Sequence, residues 1–223
     1  VLLTALEIKR KRIQAARHRS RIQQVVCKYL PRPPKALYDI GVGPKQEWKL
    51  LHNRYPRMKV YGCEPNPHYY QELKSVFPGK LSPVAVSDEH GERTLYMALM
   101  QSTLFAVPEL TAKDTVTVPV WTLDEFDDWA GKRKDVLLWM DIEGSELAAL
   151  RGAPRLLASG RVFAMNLEVR DNRLSPDWPI ADEIQQFLSV WGYRLVREYN
   201  TQKTCPAEGY KHRDAIYLRE SVL

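Results

Sequence analysis

Cysteine is scarce in this chain: Cys27, Cys63 and Cys205 stand far apart in 223 residues. An odd, dispersed set excludes a disulfide framework, gives no zinc-ligand spacing and suits a reducing compartment. No apolar run approaches the length of a membrane-spanning helix. No segment joins a basic start, an apolar middle and a small-residue cleavage site, so a cytoplasmic location is expected. Internal repeats and low-complexity tracts are missing as well. Apolar residues nevertheless make up 44% of the chain, enough to bury a sizeable core and to exclude wholesale disorder.

Positive charge is in excess, with a net +6. Much of it sits in "EIKRKRIQAARHRSRIQQVVCKYL" near the start. Such a run can grip nucleic acid or an anionic membrane. It can equally be the solvated face of a long helix. Leu2, Leu6, Ile13, Ile22, Val25, Val26 and Tyr29 recur at roughly helical spacing and supply one apolar stripe. Few aromatic residues interleave the charges, as a single-stranded nucleic-acid grip requires, so the solvated helix is the preferred reading. "LPRPP" at 30–34 is a stiff break. It divides a basic N-terminal helix, residues 1–34, from one globular domain, residues 35–223.

Beyond the break, strands and helices alternate. "KALYDIGV", "MKVYGCEP" and "LSPVAVSD" read as three strands, with helices in "KQEWKLLHNRY" and from about Pro67 to Phe77. "ERTLYMALM" and "DTVTVPVWTL" form an insertion with hairpin character. A short helix follows, opened by Thr122. "DVLLWMDIEGSE" and "RVFAMNLEV" are further buried strands, and "IADEIQQFLSVWGY" is a helix. "YRLVREY" and "HRDAIYLRE" have no helix between them and are expected to pair antiparallel. The pattern predicts an α/β fold, a doubly wound and mostly parallel sheet.

Open sheets of this kind bind ligands at the carboxyl ends of their strands. Asp39 ends the first strand, and Gly41 and Gly43 allow a tight turn after it. Glu64 ends the second strand, 25 positions later, where an acid can accept both ribose hydroxyls of a nucleoside. A pyrophosphate site would want a third glycine opening the helix, and Pro44, Lys45 and Gln46 stand there instead. A nucleoside without phosphates, S-adenosylmethionine, fits better. Ser87 and Asp88, past the third strand, fall where an adenine edge would lie, although both are also ordinary turn residues.

The stretches "YDIGVG", "VYGCEPNPHYYQELK", "LSPVAVSDEHGERTLYM", "VPVWTLDEF" and above all "DVLLWMDIEGSELAALRGAPRLL" resemble the FkbM-type methyltransferases. The resemblance implies a class I, Rossmann-like methyltransferase fold. The expected sheet has seven strands with an antiparallel last strand, and the insertion follows the third. It also implies O-methyl transfer from S-adenosylmethionine to a sugar, glycan or natural-product hydroxyl. The family usually carries Asp-x-Gly-Ala-Asn-x-Gly in the first loop, and this chain departs from it at Val42, Gly43, Pro44 and Lys45. Lys45 either offers a cation to the methionine carboxylate or is a surface lysine.

An alcohol acceptor must lose a proton, so a base or a bound metal is expected. Strand geometry brings Asp141, Glu143 and Glu168 near the transferred methyl. Glu143 or Glu168 is expected to deprotonate the acceptor, and Asp141 to hold the methionine end of the cofactor. Glu146, in a first helical turn, is expected to cap with a lowered pKa. A divalent metal is not favoured, and magnesium or manganese would suit these acids better than zinc. Gln101 and Ser102 in the insertion, and His212 ahead of the final strand, are expected to line the acceptor side. A small-molecule or glycan acceptor is the expected partner. An RNA methyltransferase that grips nucleic acid with the basic helix and a non-catalytic binding module with the same fold are the competing readings, and a second copy of the chain, as a homo-oligomer, is the further partner considered.

Overall fold

Five consecutive buried residues, Ala36–Ile40, form β1 in the middle of a seven-stranded sheet. A strand buried on both faces needs an apolar run rather than an alternating one, and "ALYDI" supplies it apart from its fourth residue, Asp39. The computed structural model describes residues 24–44, 46, 48–97, 102–106, 114–171, 173, 178–204 and 211–223, with the backbone alone at 200–204 and 211. Residues 1–23 of the expected basic helix, with its nucleic-acid alternative, lie outside them.

After a helical stretch at 24–29 (α1) the elements run β1, α2 (Trp48–Arg54), β2 (Lys59–Cys63), α3 (Pro67–Leu73) and β3 (Lys80–Ser82). Four short strands follow: β4 (Ala85–Ser87), β5 (Gly91–Met97), β6 (Ser102–Thr103) and β7 (Asp114–Thr122). The second half holds α4 (Leu123–Ala130), β8 (Val136–Met140), α5 (Glu146–Arg151), α6 (Pro154–Ala158) and β9 (Val162–Arg170). It closes with α7 (Ala181–Val190), β10 (Tyr193–Thr204) and β11 (Lys211–Arg219).

The main sheet has the order β10-β11-β9-β8-β1-β2-β3. β1 pairs parallel with β2 and β8, and β8 with β9. β11 runs antiparallel to both neighbours, β9 and β10. Tyr38, Ile40, Leu138 and Met140 face one core, which α4 to α7 cover through Phe126, Leu150, Leu156 and Ile184. Leu37, Leu137, Trp139 and Phe163 face the other, covered by Val26, Trp48, Leu51 and Leu73. The end of the N-terminal segment is therefore part of the second core: Val26 is fully buried there. No helix of the described residues is long and apolar enough to cross a membrane.

Local chemistry places the helix starts. Thr122 and Glu125 form a reciprocal capping box at α4. Asn66 caps α3, whose first residue is Pro67.

One expected strand is two. "LSPVAVSD" divides at Pro83, which has no N–H to donate to a ladder. Lys80–Ser82 stays in the main sheet beside β2, while Ala85–Ser87 crosses into a second sheet of order β4-β7-β5-β6. The hairpin expected in the insertion is present, with β5 antiparallel to β7 from Gly91–Val120 to Met97–Asp114.

Candidate active site

A cleft opens at the carboxyl ends of β1, β2 and β8, and encloses about 670 Å³ counting its mouth. Gly41 bends the chain out of β1 at φ +81°, and a Cβ there would lie 2.3 Å from the carbonyl oxygen of Asp141. Only glycine lets the loops after β1 and β8 approach this closely. Gly43 follows at φ +52°.

The Glu64 carboxylate organises the floor. Its Oε2 accepts from the Gly43 N–H at 2.7 Å and its Oε1 from the Asn66 N–H at 2.8 Å. Burial pushes its pKa up to about 7; the two backbone donors pull it back, and the negative Asp141 adds to the rise. Asn66 also donates through Nδ2 to Ser102 Oγ at 3.0 Å. Thr103 Oγ1 donates to the Glu143 carbonyl at 2.8 Å. The two residues of β6 thus bridge both banks of the cleft, and Ser102 and Leu104 line it. The remaining wall is apolar: Cys63, Pro65, Val84, Ala85, Val86 and Leu95.

Acids gather at one side. Carboxylate oxygens of Asp141, Glu143 and Glu168 lie within 4.8 Å of one another. Arg170 meets them from β9, donating through Nη2 to Glu143 Oε2 at 2.6 Å and to Glu168 Oε2 at 3.1 Å. Its guanidinium sits 5.0 Å from the ring centre of Trp178. His212, on β11, places Nδ1 2.6 Å from Glu168 Oε1. Antiparallel pairing sets His212 opposite Arg170, which is what carries the histidine to Glu168.

Glu146 caps the loop ahead of α5, as expected: it accepts from the N–H groups of Ile142 and Gly144 at 3.0 and 3.1 Å. Its acidity goes the other way. Full burial raises the pKa to about 7, and the N–H groups of Glu146 itself and of Ile142 pull it back without outweighing burial; the Glu168 charge adds to the rise and the Arg170 charge opposes it. Gly144 stands at φ +98°, where a Cβ would lie 2.2 Å from the Trp178 indole.

The cleft therefore brings together Gly41, Gly43, Glu64, Ser102, Asp141 and Glu143, while Asp39 is buried at the end of β1. Glu168 and His212 join through the acid cluster. Ser87 and Asp88 do not line the cleft. Ser87 Oγ donates to Asp88 Oδ1, and Asp88 pairs with Arg93 on the outer side. Burial raises and these donors lower the Asp88 pKa, with a net fall. Lys45 and Gln101 lie outside the described residues.

Three participants are not singled out by the sequence reading: Arg170, and Asn66 and Ser145, which stand inside the family-like stretches "VYGCEPNPHYYQELK" and "DIEGSE". The spacing of Glu168 and Arg170, two apart on a strand, does place them on one face. Ser145 lines the cleft and is buried, and its hydroxyl makes no hydrogen bond among the described residues. It precedes α5 without capping it.

The methyltransferase FkbM domain model matches residues 48–195, well over half of the chain. The chain belongs to the FkbM methyltransferase family. S-adenosylmethionine is accordingly its cofactor. The sheet order and the antiparallel β11 are those of class I methyltransferases. Among solved structures, the plantazolicin methyltransferase BamL superposes with a TM-score of 0.51 at 10% identity, over 93% of this chain and 85% of that one. The magnesium protoporphyrin IX methyltransferase of Synechocystis PCC 6803 gives 0.50 at 13% identity, over 98% and 89%. Both share the fold. No curated protein matches by sequence.

The cleft fits the cofactor on its own terms. A buried carboxylate whose oxygens keep acceptor capacity suits ribose hydroxyls. The apolar wall suits a purine ring, and the Ser145 hydroxyl offers a buried polar contact.

Proposed function

We propose that this FkbM methyltransferase methylates a hydroxyl of a sugar, glycan or small natural product. The observation that carries the reading is the Glu168–His212 pair beside the acid cluster at the cleft. Alcohols need a proton acceptor, and a histidine held by a carboxylate is suited to that task.

S-adenosylmethionine supplies a methyl group on a sulfonium, already activated for displacement. What the chain adds is position and proton management. Glu64 takes the ribose hydroxyls, the glycines of the first loop let the nucleoside approach the backbone, and Val84, Ala85, Val86 and Leu95 take the purine face. Asp141 and Ser145 hold the methionine end. Glu168 keeps the His212 proton on Nδ1, which leaves the lone pair on Nε2 to take the acceptor proton. Of the two acids weighed as bases, Glu143 has one carboxylate oxygen engaged by Arg170 at 2.6 Å. Glu168 acts through the histidine. Ser102, on β6, faces the acceptor.

The test is incubation with methyl-labelled cofactor and a panel of glycans and hydroxylated natural products. The label is expected on oxygen, and His212→Ala is expected to lower turnover by roughly 10²–10⁴-fold with cofactor affinity kept. Label transferred only to nitrogen or carbon, or a His212→Ala variant as fast as the parent, would overturn the reading.

A further inference from the structure

Three carboxylates within 4.8 Å are a costly arrangement. Like charges at that distance repel, and burial removes the water that would screen them. Glu143, Glu168 and Arg170 are all nearly inaccessible to solvent. In many proteins such a group would be the shell of a divalent cation. Here a guanidinium bonds two of its three members.

We propose that Arg170 is the built-in cation of the Asp141–Glu143–Glu168 triad. A guanidinium keeps its charge at any working pH, and here its Nη2 reaches both carboxylates at once. Its plane is supported by Trp178, and the same indole covers Gly144 in the adjoining loop. Arg170 is thus a positioning residue. From β9 it draws in Glu143, whose backbone stands at φ +49°, and holds Glu168 in reach of His212. The triad then needs no bound metal to stay assembled, and removing the guanidinium converts it into a cation site.

The inference rests on the triad geometry and not on the identity of the methyl acceptor, so its test uses no turnover. Mn²⁺ is titrated into the full chain and followed by electron paramagnetic resonance. The parent is expected to bind no Mn²⁺ at the triad up to millimolar concentrations. Arg170→Ala is expected to bind it at least about tenfold more tightly, since uncompensated buried carboxylates are strongly destabilised. The gain is expected to vanish in the Arg170→Ala, Glu143→Gln double variant. Arg170→Lys, which keeps a charge, is expected to behave as the parent. Parent and Arg170→Ala binding with equal affinity would overturn the proposal. So would a folded Arg170→Ala variant, shown by circular dichroism and cofactor binding, with no gain. Should Arg170→Ala not fold alone, millimolar Mn²⁺ or free guanidinium in the refolding buffer is expected to restore it, and failure of both overturns the proposal.

Discussion

If Glu64 takes the ribose hydroxyls as proposed, cofactor binding is coupled to pH. Its folded pKa of about 7 lies above the ordinary 4.5 because burial disfavours the charge more than the Gly43 and Asn66 donors favour it. A carboxyl raised in this way stabilises the empty fold while protonated. That stability is full below pH 4.5 and is lost as pH rises through about 7. The difference between the two values corresponds to about 3 kcal/mol. Ribose hydroxyls donating to the carboxylate favour the ionised form, so binding below pH about 7 expels a proton. Affinity for S-adenosylmethionine is then expected to fall by up to about tenfold for each pH unit below 7 and to level off above it. Calorimetry in two buffers of different ionisation enthalpy, at pH about 6, should report close to one proton released. Glu64→Gln removes the titration and one acceptor. It is expected to bind with a penalty of roughly 1.5–3 kcal/mol at pH 8 and with no proton release. A parent affinity that is flat from pH about 5.5 to 8, or a Glu64→Gln variant as tight as the parent, refutes this role for the carboxylate.

Three further outcomes are expected. Gly144→Ala must accommodate a methyl 2.2 Å from the Trp178 ring at a positive φ, so thermal or urea unfolding should show a loss of about 2–4 kcal/mol. Asp141→Asn should weaken S-adenosylmethionine binding, whereas Glu143→Gln should leave that affinity near the parent value; the reverse order in calorimetry would exchange their roles. Removing residues 1–23 should leave cofactor affinity intact, whereas a cut to residue 30 uncovers the core around Val26 and should cost about 1.5–3 kcal/mol of stability for that side chain alone. If RNA bound to the basic segment is instead the acceptor, RNA affinity will fall steeply with salt and vanish in the shorter truncation.

What the chain alone determined is local. The central strands β1 and β8 are short apolar runs, and α3 and α4 have their own starts, Asn66–Pro67 and Thr122 with Glu125. Period and capping act over a few residues, so they are readable without neighbours. The same holds for Gly41 and Glu64, because a strand end in a doubly wound sheet has a known side. The division at Pro83 was legible in principle, since a proline interrupts any ladder, but which sheet receives Ala85–Ser87 depends on β7, whose paired residues stand 35 positions on.

Tertiary structure decided the chemistry of the acids. Glu143 meets Glu168 and Arg170 because β8 lies beside β9, and His212 joins them because β11 enters antiparallel beside β9 with His212 opposite Arg170, a register set by the packing of both faces. Glu146 was expected to be acidic from its place in a helix start and is the opposite, because burial acts from all sides while the helix start and its neighbouring N–H groups act from one. Asp88 follows a strand as Glu64 does, yet it pairs with Arg93, a residue of β5 in the second sheet. Residue type and spacing determine which groups are available. Which of them share a dry space, and with what partner, follows from strand order and burial, and those depend on contacts far apart in the chain.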